Sequence, residues 1–461
     1  MPVPAFSPAI RLEGLARAAY VAMHVLDRVD EGHEAAYLLA RAGRRARLTA
    51  AESAAAVRQV HAVLRGRNRC DWLIEQGGVA VEPWSRPGWR LAAALAGSPD
   101  LSEPVATAMA AVARIVRRPF DPTRWTEFVA FAAAPRLPGG TEGLALRHGH
   151  PSWLVSMWME ELGVETPALL AADNEEPPLS IRANRLKMEP DDLAVHLGKE
   201  GFRATPGTLA PDALSVEPKQ GVFRTHAFRG GLFEVQDEGS QLVATLVGAK
   251  AGHTVLDACA GSGGKTLALA AAMGNRGVLI ALDTTARKLD DLKKRAARAG
   301  VSNYEAILVD PESHPLATAK DVRRGVTAPR PPRLPGAFDA ILVDAPCSGL
   351  GDLRRTPEIR WRRGPEDLAH YPRVQSALLD RWAPLVKAGG ALVYATCTLR
   401  RAENEDVVER FLSGHPDFSA GDARQALPQT AQRVVDGSGF LRTMPHRHGC
   451  DGFFAVRLRR A

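Results

Sequence analysis

The sequence predicts an α/β protein in which a doubly wound parallel sheet follows an all-helical region. Three observations carry this. Five apolar runs, at 254–257, 278–283, 306–310, 340–344 and 391–394, alternate with helical patterns, notably at 285–299 and 375–385. The first 135 or so residues instead repeat apolar side chains at helical spacing. Four of the five runs end in aspartate (Asp257, Asp283, Asp310, Asp344), and the fifth leads into Cys397. Polar chemistry thus gathers at the carboxyl edge of one sheet, where open α/β folds bind ligands.

A chain of 461 residues is too long for one core. Three parts are expected: a helical domain over 1–140, an α+β connecting subdomain over 141–245, and the sheet domain over 246–461. The apolar share, 45%, is that of a globular protein, and the net charge of +7 favours polyanionic partners. The five cysteines (Cys70, Cys259, Cys347, Cys397, Cys450) are odd in number and scattered, which suits a reducing cytosol better than a disulfide framework. A cytoplasmic location is therefore expected. The start, Met1-Pro2-Val3-Pro4, shows no basic stretch followed by an apolar one, and no run nears the roughly 18 apolar residues of a membrane span. Every basic residue before Lys187 is arginine, which a coding bias explains more simply than a choice of phosphate forks.

Taken in order, Leu12, Leu15, Ala16, Ala19, Tyr20, Met23 and Leu26 define a first helix, and Ala56, Val57, Val60, His61 and Leu64 another. A third, alanine-rich, spans 105–116, with Arg114, Arg117 and Arg118 near its end, where cations suit the helix dipole. Trp72, Trp84 and Trp89 are expected to pack this bundle. The cluster Arg65-Gly66-Arg67-Asn68-Arg69 reads equally as a phosphate contact or a solvated helix end. Residues 135–140 read as a linker. A strand at 179–184 and a helix at 191–200 follow. The proline-rich stretch 311–335 interrupts the α/β pattern and reads as a surface loop, and no internal repeat is present.

The glycine loop Gly261-Ser262-Gly263-Gly264-Lys265 follows the first of the five strands. A phosphate-cradling P-loop requires glycine where this chain has Cys259. A nicotinamide fingerprint requires one more glycine than Gly261-Ser262-Gly263-Gly264-Lys265-Thr266 offers. Asp283, 19 residues beyond Gly264, stands at the distance of an acid that binds ribose hydroxyls. S-adenosylmethionine has a ribose, an adenine and no phosphate. It needs a tight glycine turn, a ribose acid and further acids, which Asp283, Asp310 and Asp344 supply.

The cysteines sharpen this. Carbon 5 of cytosine is a poor nucleophile until a thiolate adds to carbon 6, and the adduct must later expel the thiol. A thiol of ordinary pKa, about 8.5, needs either a site that lowers it or an attack paired with substrate protonation. An acid beside the ring nitrogen, here Asp344, stabilises such an adduct. Cys70 and Cys259 read as inert buried thiols. Cys347 differs because Pro346 and Ser348-Gly349 turn the chain out of its strand. Cys397 differs because 398–405, with Glu403, Asn404 and Glu405, turns polar at once.

At these residues the chain resembles a family. Asp344-Ala345-Pro346-Cys347-Ser348-Gly349 with Arg354-Arg355-Thr356-Pro357-Glu358-Ile359-Arg360-Trp361 is similar to the fourth motif of the Sun/RsmB-type RNA cytosine-5 methyltransferases. Gly389 through Thr398, then Glu403-Asn404-Glu405, is similar to their sixth. Residues 235–242 and 256–266 resemble the start of their cofactor domain, and Asp451-Gly452-Phe453-Phe454 their closing strand. The likeness runs from about His150 onward. It implies a Rossmann-like S-adenosylmethionine-dependent methyltransferase domain, with Cys397 as nucleophile and Cys347 assisting product release. It implies that Asp344 contacts the target base, the cofactor or both, and that Lys265 lines the pocket. Ala258, Cys259, Ala260, Gly261, Ser262, Gly263, Gly264, Lys265, Asp283, Asp310 and Asp344 are then the S-adenosylmethionine residues. DNA cytosine methyltransferases lack the second cysteine, so the pair favours RNA. The N-terminal helices resemble a NusB-like RNA-binding domain in length and pattern. Gly261-Ser262 departs from the Ala-Pro pair of many members, a change the turn tolerates.

The expected function is methylation of cytosine carbon 5 in 16S ribosomal RNA. Transfer RNA as substrate, or a non-catalytic ribosome-assembly role, are the alternatives; pure binding would need no thiols. The expected assembly is a monomer without a metal, since His446-Arg447-His448-Gly449-Cys450 finds no second ligand cluster.

Overall fold

Periodic alanine, valine and leucine over the first third form helices whose apolar stripes bury one another. The computed structural model describes residues 1–6, 10–309 and 337–461. Its contacts divide the chain into two units: Met1–Asn174 with Thr356–Arg363, and Glu175–Arg355 with Gly364–Ala461.

In the first unit, helix Gly14–Asp30 buries Ala18 through Met23, Val25 and Leu26 against helices Ala50–Arg65 and Pro99–Val116. Thr49 and Glu52 cap Ala50–Arg65 reciprocally, with the Thr49 hydroxyl accepting from Glu52 N at 3.2 Å and the Glu52 carboxylate accepting from Thr49 N at 2.8 Å. Trp84 and Trp89 are buried, Trp89 lying 5.1 Å from Trp125 and 5.3 Å from Phe128; Trp72 packs half-buried at the edge. Two members of the 65–69 cluster are engaged within the unit. Arg67 pairs with Asp30 at 3.3 Å, and the Asn68 amide donates to the carbonyls of Ala145 (3.2 Å) and His150 (2.7 Å). These bonds hold helix Gly140–His148 to the bundle, so the helical unit runs past the expected boundary at 140 to Asn174. Residues 135–140 are accordingly a connection inside one unit. The motif segment Thr356–Arg363 belongs here too. Its Arg360 is fully buried and donates to the carbonyls of Arg65, Gly149 and Asp173 and to Asn174 Oδ1 at 2.9–3.2 Å. Burial pushes that guanidinium down to about 10.

The second unit carries two sheets. Strands β1 (Ser180–Ala183), β2 (Arg203–Pro206), β3 (Ala213–Glu217) and β4 (Phe233–Val235) form an antiparallel sheet in the order β2-β3-β1-β4, with helix Pro190–Lys199 between β1 and β2. Strands β5 (Thr254–Asp257), β6 (Val278–Asp283), β7 (Tyr304–Leu308), β8 (Phe338–Asp344) and β9 (Val386–Thr396) are parallel. β10 (Phe418–Gly421), β11 (Leu441–Arg442) and β12 (Phe454–Arg460) complete the larger sheet, which runs β10-β12-β9-β8-β5-β6-β7 with β12 antiparallel to β9. Near-continuous burial of β5, β6, β8 and β9 reflects helices on both faces. The order reverses between β5 and β8, and the crevice beyond their carboxyl ends is where such a sheet binds ligands. Helix Glu238–Val247 packs on helix Gly264–Ala272 and on β9. β7 begins two residues earlier than its apolar run, since register with β6 pairs Leu279 with Tyr304 and Asp283 with Leu308. Asp310 and the 311–335 stretch lie outside the described residues.

Candidate active site

Beyond β5, the glycine loop takes positive φ at Gly261 (57°) and Gly263 (85°). A side chain at Gly263 would sit 2.6 Å from Leu292 Cγ, so glycine there lets the loop lie against helix Ala286–Ala299. The Gly261 amide then donates to Asp283 Oδ2 at 2.9 Å, while Asp283 Oδ1 accepts from Thr285 N at 2.8 Å. The loop and the acid at the end of β6 are thereby one assembly.

A cavity of about 650 Å³ opens on this assembly. Of the expected cofactor residues, Cys259, Ala260, Gly261, Ser262, Gly264, Lys265, Asp283 and Asp344 line it. Ala258 is fully buried behind the wall, its amide bonded to Leu342 O at 2.8 Å, and Gly263 packs away from the wall on Leu292. Asp310 is not described. Asp257 also lines the cavity and accepts from Thr266 Oγ1 at 2.7 Å; burial pushes its carboxyl up to about 7. Burial likewise raises the Cys259 thiol well above its ordinary range.

The lysine of the glycine loop is committed. Lys265 Nζ lies 2.7 Å from Asp344 Oδ2 and 5.1 Å from the centre of the Phe453 ring. Burial opposes its charge, but Asp344 outweighs burial and holds the ammonium above its usual value. Arg295 and Arg355, which also line the cavity, are taken by Glu234 and by Asp237 and Asp451. The loop cation is therefore neutralised by Asp344 where a pyrophosphate would need it, while Asp283 and Asp257 add further acidic groups to the wall. That set fits a ligand with ribose hydroxyls and positive charge, as S-adenosylmethionine has, and disfavours a nucleoside polyphosphate.

The two cysteines leave neighbouring parallel strands. Asp344 of β8 pairs with Ala395 of β9, and Ala345 N extends the ladder to Ala395 O at 2.8 Å. Three and two residues later the chains arrive at Cys347 and Cys397, whose sulfurs stand 3.3 Å apart. The two loops are tied by side chains of the two motifs, with Gln375 and Arg400 added by the fold. Glu403 Oε2 accepts from Ser348 N (2.9 Å) and Gln375 Nε2 (3.1 Å), and Glu403 Oε1 accepts from Arg400 (2.9 Å). Ser348 Oγ and Thr398 Oγ1 are 2.9 Å apart. Glu403 and Asn404 are fully buried, so the polar run after Cys397 braces the loop from inside. Gly351 N donates to Cys397 O at 2.9 Å, and Gly452 N to Gly351 O at 2.8 Å.

Cys397 lines the cavity; Cys347 sits behind it. The hydrogen bond with Cys347, and then burial, raise the Cys397 thiol well above its usual range. Sequence reasoning missed Asp237, Arg355 and Asp451, which close one side of the cavity. Arg355 Nη2 donates to Asp237 Oδ2 at 3.0 Å and Arg355 Nε to Asp451 Oδ2 at 2.5 Å. Their signal lay in the 235–242 and 451–454 segments, which bracket the sheet in sequence. Among the described residues no cluster of three or more His, Cys, Asp or Glu side chains is arranged to hold a metal. His448, in the segment weighed for metal binding, has its Nδ1 2.9 Å from Met444 N, and burial holds its imidazole down to about 4.

A sheet reversing at β5 and closing on an antiparallel strand, with a carboxylate-rich cavity against its glycine turn, defines a Rossmann-like S-adenosylmethionine-dependent methyltransferase. Comparison with known proteins narrows the class. Residues 244–459 match the family described as 16S rRNA methyltransferase RsmB/F, and residues 150–222 match the ferredoxin-like domain of RsmF/B-like methyltransferases. The probable ribosomal RNA small subunit methyltransferase B of Bacillus subtilis is 36% identical over 319 residues, 69% of this chain and 68% of that protein. Ribosomal RNA small subunit methyltransferase B of Citrobacter koseri is 32% identical over 299 residues, 63% of this chain and 65% of that protein. The crystal structure of PH0851 shares the fold, with a TM-score of 0.78 at 24% identity over 97% of this chain and 100% of that one. The chain belongs to the RsmB/F family of RNA methyltransferases. No helix among its described residues is long and apolar enough to cross a membrane.

Proposed function

We propose that the protein methylates carbon 5 of a cytosine in 16S ribosomal RNA through a covalent cysteine–cytosine adduct. The observation that carries this reading is the 3.3 Å approach of Cys347 and Cys397 beside the Lys265–Asp344 pair at a donor-sized cavity. A methyltransferase acting on an oxygen or an exocyclic nitrogen has no use for two converging thiols.

The target base has to leave its stack to reach Cys397. The Cys397 sulfur bonds to carbon 6, its proton passes to the base, and electron density moves onto carbon 5. Because the resting thiol is protonated, attack and proton transfer are coupled. Asp344 and Lys265 face the ring edge, where the carboxylate accepts a base N–H and the ammonium offsets developing negative charge. The glycine turn with Asp283 and Asp344 holds S-adenosylmethionine, which supplies an electrophilic methyl group. The carbon-5 proton is then released to solvent, its electron pair restores the ring double bond as the sulfur–carbon bond breaks, and the departing Cys397 sulfur recovers the proton the base had taken, with Cys347 assisting that release.

Bisulfite sequencing of ribosomal and transfer RNA, with and without the gene and with a Cys397→Ala copy, tests the reading. One protected cytosine in 16S RNA, lost in the null and the Cys397→Ala strain alike, is expected. Protection that survives Cys397→Ala would remove its nucleophile role.

A further inference from the structure

Helix Ala35–Arg45 and the turn after it carry Arg41, Arg44, Arg45 and Arg47, and no acid lies between Glu34 and Glu52. All four arginines are exposed. Among the described residues none of them has a carboxylate within ion-pairing distance. The other side of the helix packs on the bundle through Ala35, Leu38, Leu39 and Ala42, which leaves these arginines on its outer face.

Tyr37, Arg41 and Arg45 repeat every fourth residue and so share a face, about 6 Å apart along the axis. They line a cavity of about 370 Å³ with Phe6, His24 and Arg28. Arg44 and Arg47 edge a second cavity on the other flank. The helix dipole explains one or two cations in a last turn. It does not explain Arg41, a turn earlier, nor Arg47. Arg47 stands at φ +50°, in the left-handed conformation that closes this helix, with Leu48 N reaching back to Gly43 O at 3.0 Å. Glycine is the default there, and a side chain held at that angle is strained.

We infer that Arg41, Arg44, Arg45 and Arg47 form a strip that grips the phosphodiester backbone of the RNA substrate. The inference rests on the family's RNA chemistry but not on the cysteine mechanism. Guanidinium forks match phosphate geometry, and a tyrosine in the same row offers an unpaired base a stacking face. This strip lies apart from the 65–69 cluster, whose Arg67 is already paired with Asp30.

The test uses the full chain carrying Cys397→Ala in every arm, so that binding is read apart from chemistry. Anisotropy of a fluorescein-labelled single-stranded RNA is measured over a sodium chloride series. Four phosphate contacts at about 0.7 each predict that the slope of log affinity against log salt falls by about 3 when all four arginines become glutamine. Replacement of all four by lysine should keep most of the slope. Arg47→Gly should raise the Tm while weakening binding. A slope unchanged in the glutamine variant overturns the inference, as does a strip that binds an acidic protein and not RNA. In the otherwise unmodified enzyme the glutamine variant should raise KM for RNA and leave kcat intact.

Discussion

Gly351→Ala perturbs the approach of the two thiols without touching either. Gly351 sits where the loops after β8 and β9 meet the chain before β12, bonded to Cys397 O at 2.9 Å and to Gly452 N at 2.8 Å. A Cβ at this position would stand 2.1 Å from Gly452 O and 2.9 Å from Cys397 O. The first distance is more than about 1 Å short of ordinary contact, and both obstacles are backbone. The loop has to move by that amount, and the two hydrogen bonds, worth about 1 kcal/mol each, are strained or lost. A destabilisation of about 2 kcal/mol follows, with a loss of about a hundredfold in kcat, because a catalytic group displaced by about 1 Å forfeits that much. Gly351 is not part of the cavity wall, so affinity for S-adenosylmethionine should hold. Methyl transfer to RNA, donor calorimetry and thermal melting separate these effects. A folded variant with wild-type turnover would refute the reasoning.

The Lys265–Asp344 pair should behave as a unit. Lys265→Met or Asp344→Asn alone leaves a poorly solvated charge and costs about 3 kcal/mol by denaturant unfolding, whereas the double variant costs less than the sum. Additive losses would show that the two are not coupled. Arg355→Ala should destabilise more at pH 8 than at pH 5. Burial, and next the Asp237 charge, raise the Asp451 carboxyl to about 6. Its folded pKa thus exceeds the unfolded value, so its contribution is whole below the unfolded pKa and is lost as pH rises through about 6. At pH 8 removal of Arg355 leaves Asp237 and Asp451 both charged, with Arg354 at 3.4 Å from Asp451 as their remaining cation; at pH 5 Asp451 is already protonated. Equal losses at the two pH values would contradict this arrangement.

The parallel strands were legible because burial on both faces writes them as unbroken apolar runs, and the thiol pair was legible because neighbouring strands release their loops side by side. Less was legible where three-dimensional pairing decides. The start of β7 depends on register with β6, which no local pattern encodes. Glu403 and Asn404 were legible as a polar motif, but their bracing role was not, because their partners, Ser348 and Gln375 for one and Thr396 for the other, are set by the fold. The Asp237–Arg355–Asp451 bridge joins positions far apart in sequence. Arg360 carried a motif signal, yet its burial among the carbonyls of the helical unit is a property of the fold. At 65–69 the density of arginine reports charge without reporting that Arg67 is already paired with Asp30.

The most direct measurement is a denaturing gel of the Cys347→Ala variant after incubation with RNA and S-adenosylmethionine. If Cys397 attacks the base and Cys347 assists release, a slow-migrating protein–RNA band accumulates, and it disappears when Cys397→Ala is added. No band while methyl transfer persists, or a band that survives loss of Cys397, would contradict the account.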